Sequence, residues 1–194
     1  MYRLEGIVND LLNFAKPREM HFNVHDINRV VKESIIFSRH QFERKRISLV
    51  EEYSNDLPFL RVDDASLKEV VVNLLLNAAH AVPSDSGKIT VKTVHSRLPE
   101  NIRDSGGVSG SSVTLERGEE VVVVEVRDNG CGIAARHLER IFDPFFTTKT
   151  EGTGLGLTMA KRVVHEHGGV LLVETEEGFG SVFRIILPMK VNGR

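Results

Sequence analysis

The sequence predicts an α+β fold in which helices lie on a mixed sheet. Two observations carry this. Residues 70–82 hold ten apolar side chains in thirteen positions, as a helix buried over most of its surface requires. Runs rich in β-branched residues at 88–95 and 119–128 read as strands. With further strand patterns at 47–53, 170–175 and 181–187, they are interspersed with helical patterns and show no strict strand–helix–strand alternation.

In chain order, Leu4, Ile7, Leu11 and Phe14 recur at helical spacing and Pro17 closes the segment. One short helix cannot bury that seam alone, so residues 1–17 are expected to pair with a partner helix outside this chain or in a second copy; docking onto the main domain is the alternative. Asp26 is positioned to cap a helix running to about Arg44, with Val30, Val31, Ile35 and Phe42 inward. Asp63, Asp64 and Ser66 compete to cap the next helix, Ser66 and Glu69 having capping-box spacing. Residues 97–118 are polar, rich in Gly and Ser, and longer than a hairpin loop, which predicts a flexible insertion. A glycine-studded region, 128–156, leads into a helix ending near His167.

Composition narrows the function. The 194 residues carry 25 basic and 27 acidic side chains, a net charge of −2, so there is no basic field to gather nucleic acid or acidic lipid. At 41% hydrophobic the chain can offset the entropy of ordering, which excludes a disordered polymer. The single cysteine, Cys131, excludes an internal disulfide and suits a reducing compartment. The most apolar stretch, Val70 to Val82, is too short to cross a bilayer, and the first residues mix both charge signs without a signal-peptide layout. The expectation is a cytoplasmic domain, with membrane anchoring of its parent protein left open.

Three polar residues interrupt the apolar helix: Asn73, Asn77 and His80. At about 100° per residue they fall in one narrow stripe, which Glu69 extends. Amides left unpaired in apolar surroundings cost about 1–3 kcal/mol each, so aligned amides point to one wall of a polar pocket rather than to backbone capping. Two glycine clusters follow, Asp128-Asn129-Gly130-Cys131-Gly132-Ile133 after a strand and Gly152-Thr153-Gly154-Leu155-Gly156 opening a helix. Exposed backbone N–H groups at a helix start make an anion seat. No Lys-Ser/Thr follows the glycines, so this is not a Walker loop, and the spacing is not that of the dinucleotide fingerprint.

The order Glu69…Asn73…Asn77, Asp128…Ile133, Ile141-Phe-Asp-Pro-Phe-Phe-Thr-Thr-Lys149 and Gly152…Leu157 resembles the N, G1, F and G2 boxes of the catalytic and ATP-binding domain of sensor histidine kinases. The resemblance covers about residues 20–190, and the Phe-Asp-Pro-Phe-Phe and His-Gly-Gly elements look most like the nitrogen-regulation subtype. It implies a Bergerat-type two-layer sandwich, with three helices on one face of a mixed sheet and ATP held between helices and a lid over 143–153. Residues 3–17 look like the second helix of the family's dimerisation and phosphoacceptor hairpin.

Carried over by residue, the resemblance makes Asp128 the acceptor of the adenine amino group, with Gly130, Gly132 and Ile133 around the base. Asn77 would ligate Mg²⁺, a hard ion that favours oxygen ligands, and Asn73 would hold its water shell. Related gyrase-like ATPases carry a glutamate base at the Asn73 position, so an amide there favours transfer over hydrolysis. His80 stands where many members have a phosphate-reaching lysine, and Lys149 is a further phosphate contact. Gly152, Thr153, Gly154, Leu155 and Gly156 form the phosphate-facing end of the lid, which Phe142 and Phe146 anchor. Ser181 takes the place of a threonine beside the adenine.

The family's phosphoacceptor is a His followed by Glu or Asp with Pro a few residues on, and none of the eight histidines fits. His165 with His167, and His21 with His25, lack a third metal ligand and read as surface or core histidines. The resemblance therefore implies a kinase domain using ATP and Mg²⁺ on a histidine upstream of residue 1. Its expected partners are a phosphoacceptor hairpin of the same parent, a response regulator and, for the parent, a second copy in a homodimer. The alternatives are a serine kinase that binds a sigma factor, or a nucleotide-dependent interaction switch without transferase activity.

Overall fold

The computed structural model describes residues 19–105, 112–149 and 152–189. The helix expected over residues 1–17 lies outside them. Helix α1 (Ile27–Lys45) starts where expected: the Asp26 carboxylate accepts the Asn28 amide at 2.8 Å. Of the three competing caps for α2 (Asp64–Ala81), Asp63 takes the role, accepting the Ser66 amide at 2.8 Å.

Five strands form the main sheet: β2 (Ser48–Tyr53), β4 (Lys88–Arg97), β7 (Glu120–Asp128), β9 (Gly180–Pro188) and β8 (Val170–Glu176), in that spatial order. The β2–β4 pair is parallel and the rest antiparallel, which makes the sheet mixed. A separate ribbon of β1 (Asn23–His25) with β3 (Leu60–Val62) was not legible in the sequence. Alternation along the strands sorts the two faces. Val122, Val124, Val126, Phe183, Ile185 and Leu187 join the main core with α1, α2 and α4 (Gly156–Glu166), α3 being the single turn Ala135–Leu138. Glu125, Arg127 and Arg184 point the other way and pair with one another or with Glu174. Leu74 and Leu75 of α2 are fully buried, and truncating either to alanine would cost about 2–5 kcal/mol.

One expectation needs correction, and one segment carries more regular structure than its sequence suggests. Helix α2 is not enclosed on every side: Val72, Asn73, Leu76 and Asn77 are half-buried and His80 is exposed, because this side faces a cleft rather than the core. The segment 97–118, expected as a flexible insertion, carries strands β5 (Ile102–Ser105) and β6 (Ser112–Leu115), paired antiparallel. Its spaced apolar residues explain this, since Leu98 and Leu115 bury against Val121, Val170 and Ile186 in a second small core. The intervening Gly- and Ser-rich residues 106–111 lie outside the described residues.

Candidate active site

Helix α2 supplies the floor of the cleft. Asn77 Nδ2 donates to Asn73 Oδ1 at 3.3 Å, so the two amides are linked along one face. Lys149 Nζ donates to Asn77 Oδ1 at 2.5 Å, bringing the end of the 141–149 segment onto the stripe. Although Lys149 as a whole is exposed, its ammonium is desolvated at this contact; that desolvation and nearby Lys45 push its pKa below the ordinary lysine value, against the opposing effect of Cys131. His80 is likewise lowered, first by partial burial, then by Lys149, Lys45 and Arg44, so the neutral imidazole is favoured.

The second glycine cluster closes onto the same stripe. A Cβ on Gly156 would lie 2.5 Å from Asn73 Oδ1, so the start of α4 packs directly against this amide and a larger residue would have to displace it. Leu155 is buried at the helix cap position, while Thr153 and Gly154 are half-buried and Gly152 exposed. Phe142 and Phe146 are half-buried against the main core. The Phe146 ring also carries the Arg140 guanidinium at 4.6 Å.

The first glycine cluster forms the adjoining wall. Asp128, at the end of β7, is buried, and its Oδ1 accepts the Gly130 amide at 2.8 Å. Burial raises its carboxyl pKa, while the Gly130 and Ser181 backbone amides act in the opposite sense. Cys131 N donates to Ala81 O at 3.1 Å, tying this loop to the end of α2. Gly132 adopts φ +65°, and a Cβ there would lie 2.1 Å from the Glu176 carbonyl oxygen, so the position demands glycine. Asn129 is turned away from the cleft, its Oδ1 accepting Lys88 N and its Nδ2 donating to Ser86 O.

Thr175 is a residue sequence reasoning missed. Its Oγ1 accepts the Ile133 amide at 2.9 Å and lies 3.0 Å from both Gly180 O and Ser181 Oγ. It thus holds the first glycine cluster against the buried Ser181. A threonine late in a strand gives no sequence signal for this. The histidine pairs part company: His165 Nε2 donates to Asp104 Oδ2 at 2.8 Å, whereas His167 Nδ1 donates to Val163 O and its Nε2 accepts Asp63 N. His25 Nε2 lies 3.8 Å from Asp64.

Residues 62–191 match the family model described as histidine kinase-, DNA gyrase B-, and HSP90-like ATPase. The chain belongs to this family. Within it, the chain has the catalytic-domain fold of histidine kinases. It is 28% identical to the catalytic domain of histidine kinase ThkA, covering 90% of this chain and 100% of that one with a TM-score of 0.69. Against ThkA in complex with the response regulator protein TrrA the TM-score is 0.75 at 26% identity, over 100% of this chain and 49% of that one. Among curated relatives, the signal transduction histidine-protein kinase AtoS of Escherichia coli is 31% identical over 98% of this chain and 28% of its own length. Sensor histidine kinase ZraS of Salmonella typhi is 33% identical over 96% of this chain and 36% of its own length. The chain thus spans about a third of the curated relatives it matches. In this ATPase-family domain the stripe and both glycine clusters converge on one cleft, and among the described residues no helix is long and apolar enough to cross a membrane.

Proposed function

We propose that this chain binds Mg²⁺-ATP in the cleft between α2 and the 143–153 segment and transfers the γ-phosphoryl group to a histidine on a separate hairpin. The observation that carries the reading is the Lys149 ammonium on Asn77 Oδ1, a cation seated on a hard oxygen where both glycine clusters meet the stripe. A divalent cation fits that donor. Among the described residues no group of three His, Cys, Asp or Glu side chains is available, so most of its ligands would be phosphate oxygens and water, as suits magnesium. When bound, the ion neutralises phosphate charge.

The residues then divide the work. Asp128 accepts the adenine amino group, with Thr175 and Ser181 fixing the loop around the base. Asn77 would hold the ion through its Oδ1, and Asn73 would hold the ion's water shell. The N–H groups of Gly152 to Gly156 and the start of α4 receive the phosphates, with Lys149 turning from Asn77 to an oxygen. At the Asn73 position stands an amide, which cannot take a proton from water, and this favours transfer to a supplied acceptor over hydrolysis. We infer further that the acceptor hairpin belongs to the same parent, and that the parent works as a homodimer and passes the phosphoryl group to a response regulator. ThkA with TrrA supports the last step by likeness.

Calorimetric titration tests the nucleotide half of the reading. ATP is expected to bind more tightly with Mg²⁺ than with chelator, and equal affinity under both conditions overturns the role of Asn77.

A further inference from the structure

The ribbon β5–β6 reaches across to α4 through one side chain. Asp104 Oδ1 accepts Lys161 Nζ at 2.8 Å and its Oδ2 accepts His165 Nε2 at 2.8 Å. These groups are withdrawn from water, with side-chain exposures of 12% for Asp104, 11% for Lys161 and 4% for His165. Burial alone would raise the Asp104 carboxyl pKa, but Lys161 and His165 outweigh it and hold it below the ordinary carboxylate value. The ammonium of Lys161 also lies 4.8 Å from the centre of the Phe142 ring. Thr158, one helical turn before Lys161, donates its hydroxyl to the Phe142 carbonyl at 3.0 Å. Phe142 is thereby held at its ring and its carbonyl by one face of α4, at the point where the chain enters the 143–153 segment. The exit of that segment is tied back by Phe145 N donating to Gly154 O at 3.0 Å.

We propose that Asp104 is a positioning residue for the nucleotide lid, fixing Lys161 over Phe142 and so setting the angle at which the lid leaves the core. Without Asp104 the Lys161 ammonium keeps no carboxylate partner in a site closed to water, so it swings outward and leaves the ring. The ribbon thus acts on the cleft through the Lys161 side chain of α4, without touching nucleotide. This rests on the nucleotide reading of the cleft, and the test below separates the two.

The experiment uses the full chain with Asp104→Ala, Asp104→Asn, Lys161→Met, Phe142→Leu and the Asp104→Ala/Lys161→Met double variant. It reads ATP affinity, melting temperature and amide exchange over 141–149. Asp104→Ala and Lys161→Met should each weaken ATP binding about three- to tenfold, with the double no worse than the poorer single. Both should speed exchange at 141–149 in the nucleotide-free protein. Phe142→Leu keeps an apolar side chain without the ring face and should reproduce the affinity loss, and Asp104→Ala should then add nothing. Asp104→Asn keeps the shape and guards against a variant that fails to fold; its affinity should fall between wild type and Asp104→Ala. Melting temperatures lowered alongside wild-type ATP affinity and exchange would reduce Asp104 to an anchor for the ribbon and overturn the proposal. If the wild type itself binds no ATP, the nucleotide reading fails first and takes the proposal with it.

Discussion

Phe145 and Gly154 are locked backbone to backbone. Phe145 holds φ +66°, unusual for a residue with a side chain, and its amide donates to Gly154 O at 3.0 Å. A Cβ on Gly154, itself at φ +71°, would lie 2.4 Å from the Phe145 carbonyl carbon. Such a conformation costs about 1–3 kcal/mol and persists only where its surroundings enforce it. Gly154→Ala should therefore pry the two ends of the 143–153 segment apart. ATP affinity should fall about tenfold or more while the melting temperature drops only modestly, since the main core lies elsewhere. Titration and melting of one sample decide it, and unchanged affinity would detach this contact from the site.

Asn77→Ala removes the oxygen on which Lys149 rests, and alanine suits the helix. The fold should survive, with circular dichroism unchanged. Mg²⁺-dependent ATP binding and phosphotransfer should be lost, and retained activity would make Asn77 a structural amide.

Asp128→Asn keeps size and one acceptor but loses the charge. Charge-assisted hydrogen bonds contribute about 1.5–3 kcal/mol, so ATP affinity should fall about tenfold to a hundredfold. Guanine presents an oxygen where adenine presents its amino group, so wild type should prefer ATP to GTP. Titrations with both nucleotides check this; a mutant with wild-type ATP affinity, or a wild type without preference, removes Asp128 from base recognition.

His167 gives the fold a pH limit. Burial, the largest effect, lowers its pKa from the ordinary 6.5, outweighing the opposing pull of Val163 O, Asp63 and Glu166. The folded state therefore favours the neutral ring, whose Nε2 accepts Asp63 N at 3.0 Å. Its contribution to stability is complete above the unfolded value of about 6.5 and declines as pH falls from there toward the lower folded pKa. His80, also lowered, shifts stability in the same direction. Melting temperature should fall as pH drops below about 6.5, starting above the range of ordinary carboxylates. The fall should be smaller in His167→Gln, though that variant starts lower, and equal slopes would exclude His167 as a source.

The main helices, the five long strands and the stripe of Asn73, Asn77 and His80 were legible in the sequence because they follow from periodicity, and the glycine clusters because their spacing is rare. The three-residue strands β1 and β3 were not, since neither is long enough to show a period. Strands β5 and β6 were hidden by the Gly-Ser run between them, and their partner, Asp104 against Lys161 and His165, is a contact across 57 or more positions that no local pattern encodes. Thr175 escaped for the same reason, because its meaning comes from Ile133 on another element.

Transfer of radiolabelled γ-phosphate tests the central claim most directly. With Mg²⁺-ATP and an acceptor hairpin supplied in trans, label should appear on the hairpin as acid-labile, base-stable phosphohistidine, with none on this chain and none with Asn77→Ala. Label on this chain's own histidines, or ATP bound without any transfer to the hairpin, would contradict the account.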